Sequence, residues 1–196
     1  MPKLLFQGHG SYRFTTDDGR VVYVDPFSGK GYDKPADMVL ITHQHHDHNK
    51  ISLITQKDTC TVITNAEALA GGEYKTFDID GVKIEATEAY NSHHNKAECV
   101  GFILTIDGVA VYCSGDTGVT EQMKTFADRQ LDYAIFNTDN MFTIPFEQSA
   151  EIAAVIGAKH NIPVHLAPIE LFARGKAKKW AAPNKLILEP GQEIDL

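Results

Sequence analysis

An apolar run, Met38-Val39-Leu40-Ile41, leads directly into Thr42-His43-Gln44-His45-His46-Asp47-His48. No other stretch constrains the fold as strongly. These last seven residues hold four of the nine histidines and one carboxylate, in the order His-x-His-x-Asp-His with Gln44 and His46 at the variable positions. Imidazole and carboxylate together suit Zn²⁺, and also iron or manganese. A strand that ends on such a loop holds its first ligands still. Residues two apart point the same way where strand geometry persists. His43 and His45 therefore suit one ion, Asp47 and His48 turn toward a second, and Gln44 and His46 point away.

One loop does not complete a metal site. Three later places share a context with it, a metal-capable residue at or just past the end of an apolar strand. His93 and His94 follow the run from Ile84 to Tyr90. Asp116 lies in Ser114-Gly115-Asp116-Thr117-Gly118, after Val109 to Cys113. His165 follows Asn161-Ile162-Pro163-Val164. Ligands in α/β proteins gather where strand ends converge on one sheet edge. The order and types of these residues fit a site for two metal ions.

The rest of the chain supplies the frame. Strands are expected at Leu4–Gln7, Ser11–Thr15, Val21–Asp25, Asp37–Thr42, Thr59–Thr64, Lys75–Phe77 and Val82–Ala89. Val100–Ile106 and Val109–Cys113 form a hairpin around Asp107-Gly108. Short helices are expected at Lys50–Gln56 and Ala66–Ala70. In the second half, helices at Glu121–Ala127, Glu147–Ala158 and Ile169–Lys178 alternate with strands at Tyr133–Phe136, Asn161–His165 and Lys185–Leu188. Thr143 is the expected N-cap of the clearest helix. Strands first, then strands alternating with helices, give a layered α/β domain of stacked sheets with helices outside. A length of 196 residues, with no repeat or linker, makes residues 1–196 one domain.

Bulk properties bear on other classes. The formal net charge of -8 argues against a nucleic-acid partner, which needs a basic face. The one basic cluster, Arg174, Lys176, Lys178 and Lys179, reads as a solvated helix face. No run approaches the roughly 20 apolar residues of a membrane span, and Met1 to Leu5 lacks the features of a signal peptide. A cytoplasmic location is therefore expected. Cys60, Cys99 and Cys113 form no disulfide framework, and Cys99 and Cys113 read as core residues.

Beside the histidine loop stand Gly8-His9-Gly10-Ser11, Asp25-Pro26, Ala89-Tyr90-Asn91, Gly115-Asp116-Thr117 and Ile162-Pro163-Val164-His165. With these the chain resembles the metallo-β-lactamase superfamily over nearly its whole length. Within it, the chain is most similar to the small bacterial metal-dependent hydrolases akin to ascorbate-6-phosphate lactonase. The resemblance implies a four-layer αββα sandwich, an α+β arrangement, with the metals at one edge of both sheets. It implies that His43, His45 and His94 bind one ion, that Asp47, His48 and His165 bind another, and that Asp116 bridges them. His94 is preferred to His93 because Gly101 follows it at the spacing of that group. His9 is then placed behind the ligands or against substrate, and Asp25 accepts the second N–H of a ligand histidine.

The implied activity is metal-dependent hydrolysis of a small-molecule ester, lactone or phosphoester. Two divalent ions, zinc first with manganese or iron as alternatives, would share a bridging hydroxide. Asp47 would orient that hydroxide. A nuclease or phosphodiesterase of the same fold is the first rival, and a non-catalytic metal-binding protein the second. Specificity is expected from the loops Phe27–Pro35 and Asn137–Pro145, with Lys30 and Lys34 available to an anionic substrate. Nothing in the sequence sets an oligomeric state.

Overall fold

Apolar residues alternate along the strands, and that alternation builds two stacked sheets in the computed structural model, which describes residues 1–196. In chain order the first strands are β1 (Lys3–Gly8), β2 (Ser11–Thr15), β3 (Val21–Val24), β4 (Ala36–Leu40) and β5 (Gln56–Ile63). After a one-turn helix, α1 (Asn65–Ala68), come β6 (Thr76–Ile79), β7 (Val82–Glu88), β8 (Val100–Ile106), β9 (Val109–Cys113) and β10 (Tyr133–Asn137). Helix α2 (Phe146–Ile156), β11 (His160–Val164), α3 (Arg174–Lys179) and β12 (Glu193–Asp195) complete the chain.

Each sheet has six strands, in the orders β12-β1-β2-β3-β4-β5 and β11-β10-β9-β8-β7-β6. Both have the same plan. Four strands pair antiparallel, and the last two are added in parallel: β4 and β5 beside β3, β10 and β11 beside β9. Val22, Val24, Met38 and Leu40 of the first sheet meet Val100, Phe102, Leu104, Val111 and Ile135 of the second in the main core. The alternate residues face outward. Ile103, Tyr112, Ala134 and Phe136 pack under α2 and Trp180, and Val21, Tyr23, Val39 and Ile41 pack under Ile54 and Tyr32. The helical layer is thus full on one side, and on the other it is reduced to a 3-10 turn and a loop. This is the α+β sandwich that the resemblance implies.

Several expected elements differ, each for a local reason. The Lys50–Gln56 helix is only a 3-10 turn, Ile51–Leu53, because β5 already begins at Gln56. The Glu121–Ala127 helix is a run of 3-10 turns over Gln122–Arg129. Thr143 is not the cap of α2. Its hydroxyl and N–H both donate to Asp139, and the first helical N–H, of Phe146, donates instead to the Asn140 side chain at 2.6 Å. The Ile169–Lys178 helix shrinks to α3. The Leu171 carbonyl accepts the His9 N–H at 2.6 Å and ties the preceding segment across the β1–β2 turn. Lys185–Leu188 makes one bridge, Lys185 to Asn161, and the last strand is β12. That strand occupies the edge of β1, whose N–H and C=O groups would otherwise be unpaired. No helix is long and apolar enough to cross a membrane.

Candidate metal centre

The parallel strands of both sheets end at the same edge, and the sequence places its polar residues there. Asp25 follows β3 and Thr42 to His48 follow β4 in one sheet. In the other, Asp116 follows β9, Asn137 ends β10 with Asp139 just past it, and His165 follows β11. His94 comes from the β7–β8 turn and His9 from the β1–β2 turn. The backbone bends sharply to reach this edge. His9, Asp25 and His165 all have φ near +50° (57°, 47° and 49°), where L-residues are uncommon. Such strain costs about 1–3 kcal/mol per residue and gathers at functional sites. Gly115 has φ +60°, and a Cβ there would lie 2.8 Å from the Val100 carbonyl, so only glycine can lead the chain into Asp116.

The geometry centres on one oxygen. Asp116 Oδ2 lies 3.4 Å from His48 Nε2, 3.5 Å from His94 Nε2, 3.5 Å from His165 Nε2 and 3.9 Å from His43 Nε2. Its partner Oδ1 accepts Asn137 Nδ2 at 2.7 Å. All four Nε2 atoms are buried and have no hydrogen-bond partner. Leaving a buried acceptor unpaired costs about 1–3 kcal/mol, so four such nitrogens around one carboxylate form a donor set in need of a shared electrophile.

Three of the rings are braced from behind. His48 Nδ1–H donates to Asp25 Oδ2 at 2.8 Å. His43 Nδ1–H reaches Thr42 Oγ1 at 3.0 Å, and that hydroxyl donates to Asp25 Oδ2 at 2.6 Å, so one carboxylate orients both imidazoles. His94 Nδ1–H donates to Asn91 Oδ1 at 3.0 Å. These bonds fix the tautomer that presents a bare Nε2 to the centre. His165 Nδ1 faces the buried Asp139 carboxylate at 3.7 Å. Gly10 lies beneath, where a Cβ would be 3.1 Å from the His48 ring and 3.2 Å from Asn137 Nδ2.

The candidate ligand atoms fall into three groups, each within 4.8 Å: His43, His45 and His94; His43, His48 and Asp116; and His9, Asp47, His48 and His165. His45 is exposed, whereas His43, His48, His94 and His165 are buried. His9, fully buried, lies 3.2 Å through Nε2 from Asp47 Oδ2, and its ring packs on His165 at 3.8 Å between centroids. His93 is exposed, packs edge-on against Phe142 and lines the cavity rather than joining a ligand group. Gln44 turns toward Asn65, whereas His46, expected to point away, is exposed at the cavity rim and joins no ligand group.

Charge follows the same arrangement. Burial, reinforced by the His48 charge, pushes His43 down to about 2, so its imidazole stays neutral. Burial lowers His94 as well, against the pull of Asp116. Burial alone would raise Asp116 and Asp47. The His165 and His48 charges hold Asp116 well below the usual carboxylate range, and contacts with His165 and His9 do the same for Asp47. His43 and His94 are thus neutral and Asp116 and Asp47 ionised, as metal ligation needs. Burial would lower His48 and His165 too, but Asp116 raises both, so these two imidazoles give up a proton when an ion binds.

A cavity of about 420 Å³ opens over the cluster. Its lining includes His45, Asp47, Asp116 and His165, together with Phe142, Pro168 and Ile169. The Phe27–Pro35 loop, expected to shape the substrate site, does not line it, and neither do Lys30 and Lys34. Thr42, Asn91, Asn137 and Asp139 support the candidate ligands without being expected to from the sequence. Asp139 carries a usable signal, since it stands just past an apolar strand as Asp116 and His165 do.

Comparison with known proteins gives the family and the fold. The model of the beta-lactamase superfamily domain matches residues 3–165. A metal-dependent hydrolase of Pyrococcus furiosus is 28% identical over 227 aligned positions, covering 100% of both chains. That alignment is longer than this chain of 196 residues, so the relative has internal segments that this chain lacks. Among solved structures, a metal-dependent hydrolase from Parabacteroides distasonis superposes with a TM-score of 0.75 at 29% identity, covering 96% of this chain and 93% of the other. A metallo hydrolase from Ignicoccus hospitalis shares the fold with a TM-score of 0.77 at 23% identity, covering 98% and 97%.

Proposed function

The chain belongs to the beta-lactamase superfamily, and on that premise we propose that it is a single-domain, metal-dependent hydrolase working through two divalent ions. The observation that supports this most is the set of four buried, unpartnered Nε2 atoms around Asp116 Oδ2. His43, His45 and His94 would hold one ion, Asp47, His48 and His165 the other, with Asp116 between them. Zinc suits five imidazoles and two carboxylates, with manganese or iron as alternatives. Such ions, when bound, acidify water at neutral pH and draw charge from the group under attack.

The side chains do the remaining work. Asp25 holds His48 directly and His43 through Thr42, and Asn91 holds His94. Asp47 lines the cavity as an ionised carboxylate and would accept a hydrogen bond from the attacking water, with His9 Nε2 behind it at 3.2 Å. The cavity volume matches a small-molecule substrate rather than a polymer. Three unpaired thiols fit a reducing, cytoplasmic setting.

Elemental analysis of protein purified without added metal, then reloaded with Zn or Mn, tests the proposal. About two equivalents per chain are expected, falling in His43→Ala and Asp116→Ala. A ratio near zero after loading would overturn the proposal.

A further inference from the structure

Large apolar side chains are seldom left exposed without cause in one small area. Seven are exposed on this surface, and four of them stand on two loops beside the candidate metal centre: Met141 and Phe142 after β10, and Ile169 and Leu171 after β11. Ile169 is the extreme case at 82% exposure. Phe142, Pro168 and Ile169 line the cavity over the cluster. No lysine or arginine does.

These apolar walls are built rather than loose. The buried Asp139 Oδ1 accepts the backbone N–H groups of Met141, Phe142 and Thr143 at 2.8, 2.8 and 3.0 Å. The Phe142 carbonyl accepts Asn91 Nδ2 at 2.7 Å, so the residue that braces His94 also holds the wall beside it. On the other side, the Leu171 carbonyl is fixed to the His9 N–H. A phosphate group entering this cavity would meet no protein cation other than an imidazole, on a chain of net charge -8. An apolar chain would find two prepared walls.

We infer that the site selects uncharged carboxylic esters or lactones whose acyl chain lies along Phe142, Pro168 and Ile169, in preference to phosphoesters. The inference rests on the hydrolytic reading above. In the reaction, the oxygen of water bonds to the acyl carbon and the acyl C–O bond to the alkoxy group breaks. The departing alkoxide takes up a proton from that water, giving acid and alcohol.

The test uses the metal-loaded protein and p-nitrophenyl acetate, butyrate and octanoate, with bis(p-nitrophenyl) phosphate as the charged competitor. A fully buried methylene is worth about fourfold in affinity, and partial burial along an open wall should give roughly tenfold in kcat/KM from acetate to octanoate. Ile169→Asp, at a site too exposed to disturb folding, should compress that ratio. A readout independent of turnover is the Ile169 δ1-methyl resonance, which should shift with octanamide and not with acetamide. Equal rates across the esters, or a preference for the phosphodiester, would overturn the inference and leave the hydrolytic reading standing. No turnover of any substrate by protein that has taken up its metal would overturn both. Self-association that Ile169→Asp abolishes, with the acyl preference unchanged, would assign the apolar rim to a second copy of the chain and overturn the inference alone.

Discussion

The two halves of the histidine cluster are held differently. In the inner half, His48 and His165 are buried, His48 donates to a buried aspartate, Asp139 stands behind His165, and His9 closes against Asp47 from below. In the outer half, His43 is buried but reaches Asp25 only through Thr42, His94 leans on a neutral amide, and His45 is exposed with no side-chain hydrogen bond of its own. Supports behind a ligand are worth about 10–100-fold in metal affinity. The difference predicts two ions bound with unequal strength, the inner one first and tightest.

The largest effect should come from the residue that both halves share. Asp116→Ala removes the only carboxylate in contact with four Nε2 atoms. Binding of both ions and all hydrolytic activity should be lost together, measured by elemental analysis and by turnover. If one full equivalent remained, Asp116 would belong to one half only.

Changes behind the ligands should be smaller and should separate the halves. Asp25→Ala frees His48 and, through Thr42, His43, one ring from each half. Both binding steps should weaken by about 10–100-fold in a chelator competition. Among the candidate ligands Asn91→Ala frees only His94, though it also releases the Phe142 carbonyl, so of the two binding steps only the weaker should move. Equal effects of Asn91→Ala on both steps would dissolve the distinction. His45→Ala, which removes an outer ligand rather than a support, should leave close to one equivalent bound and abolish the weaker step. Because His45 is exposed, its loss should barely alter the thermal stability of the metal-free protein.

Features that are local in the chain are legible in the sequence. The hairpin Val100–Ile106 and Val109–Cys113 matches β8 and β9 residue for residue, because Asp107-Gly108 is a local turn signal between two alternating runs. The histidine loop is legible because ligands close in sequence announce themselves. The supports are not. Asn137 and Asp139 are ordinary polar residues whose partners lie elsewhere in the chain, and Asp25, and Asn91 three residues before His94, come forward only through resemblance. The Pro168–Ile169 wall is hidden for a different reason. Its sequence reads as the start of a helix, and the bond from His9 that prevents this joins residues far apart in the chain. Of the two loops to which the sequence directs attention for specificity, Asn137–Pro145 reaches the cavity through Phe142, whereas in Phe27–Pro35 the Phe27 ring packs behind the cluster on His9 without lining the cavity.

The smallest predicted effect probes the outer half through a thiol that takes no part in the chemistry. Cys99 lines the cleft beside His43, His45 and His94, whereas Cys113 lies in the core between the sheets. Burial pushes both thiols up to about 12, so neither offers appreciable thiolate at pH 8. Alkylation of either must then wait for a local opening that returns the thiol toward its ordinary value. Iodoacetamide should label Cys60 first in the metal-loaded protein, as it is the only one of the three that is not fully buried. Chelation should then speed labelling of Cys99 by roughly tenfold and leave Cys113 unchanged, because ions that bind the folded form stabilise what they bridge. Mass spectrometry of each cysteine peptide over time reads this directly. Parallel acceleration of Cys99 and Cys113 would mean that metal loss loosens the whole sandwich, and that the two halves of the centre open as one.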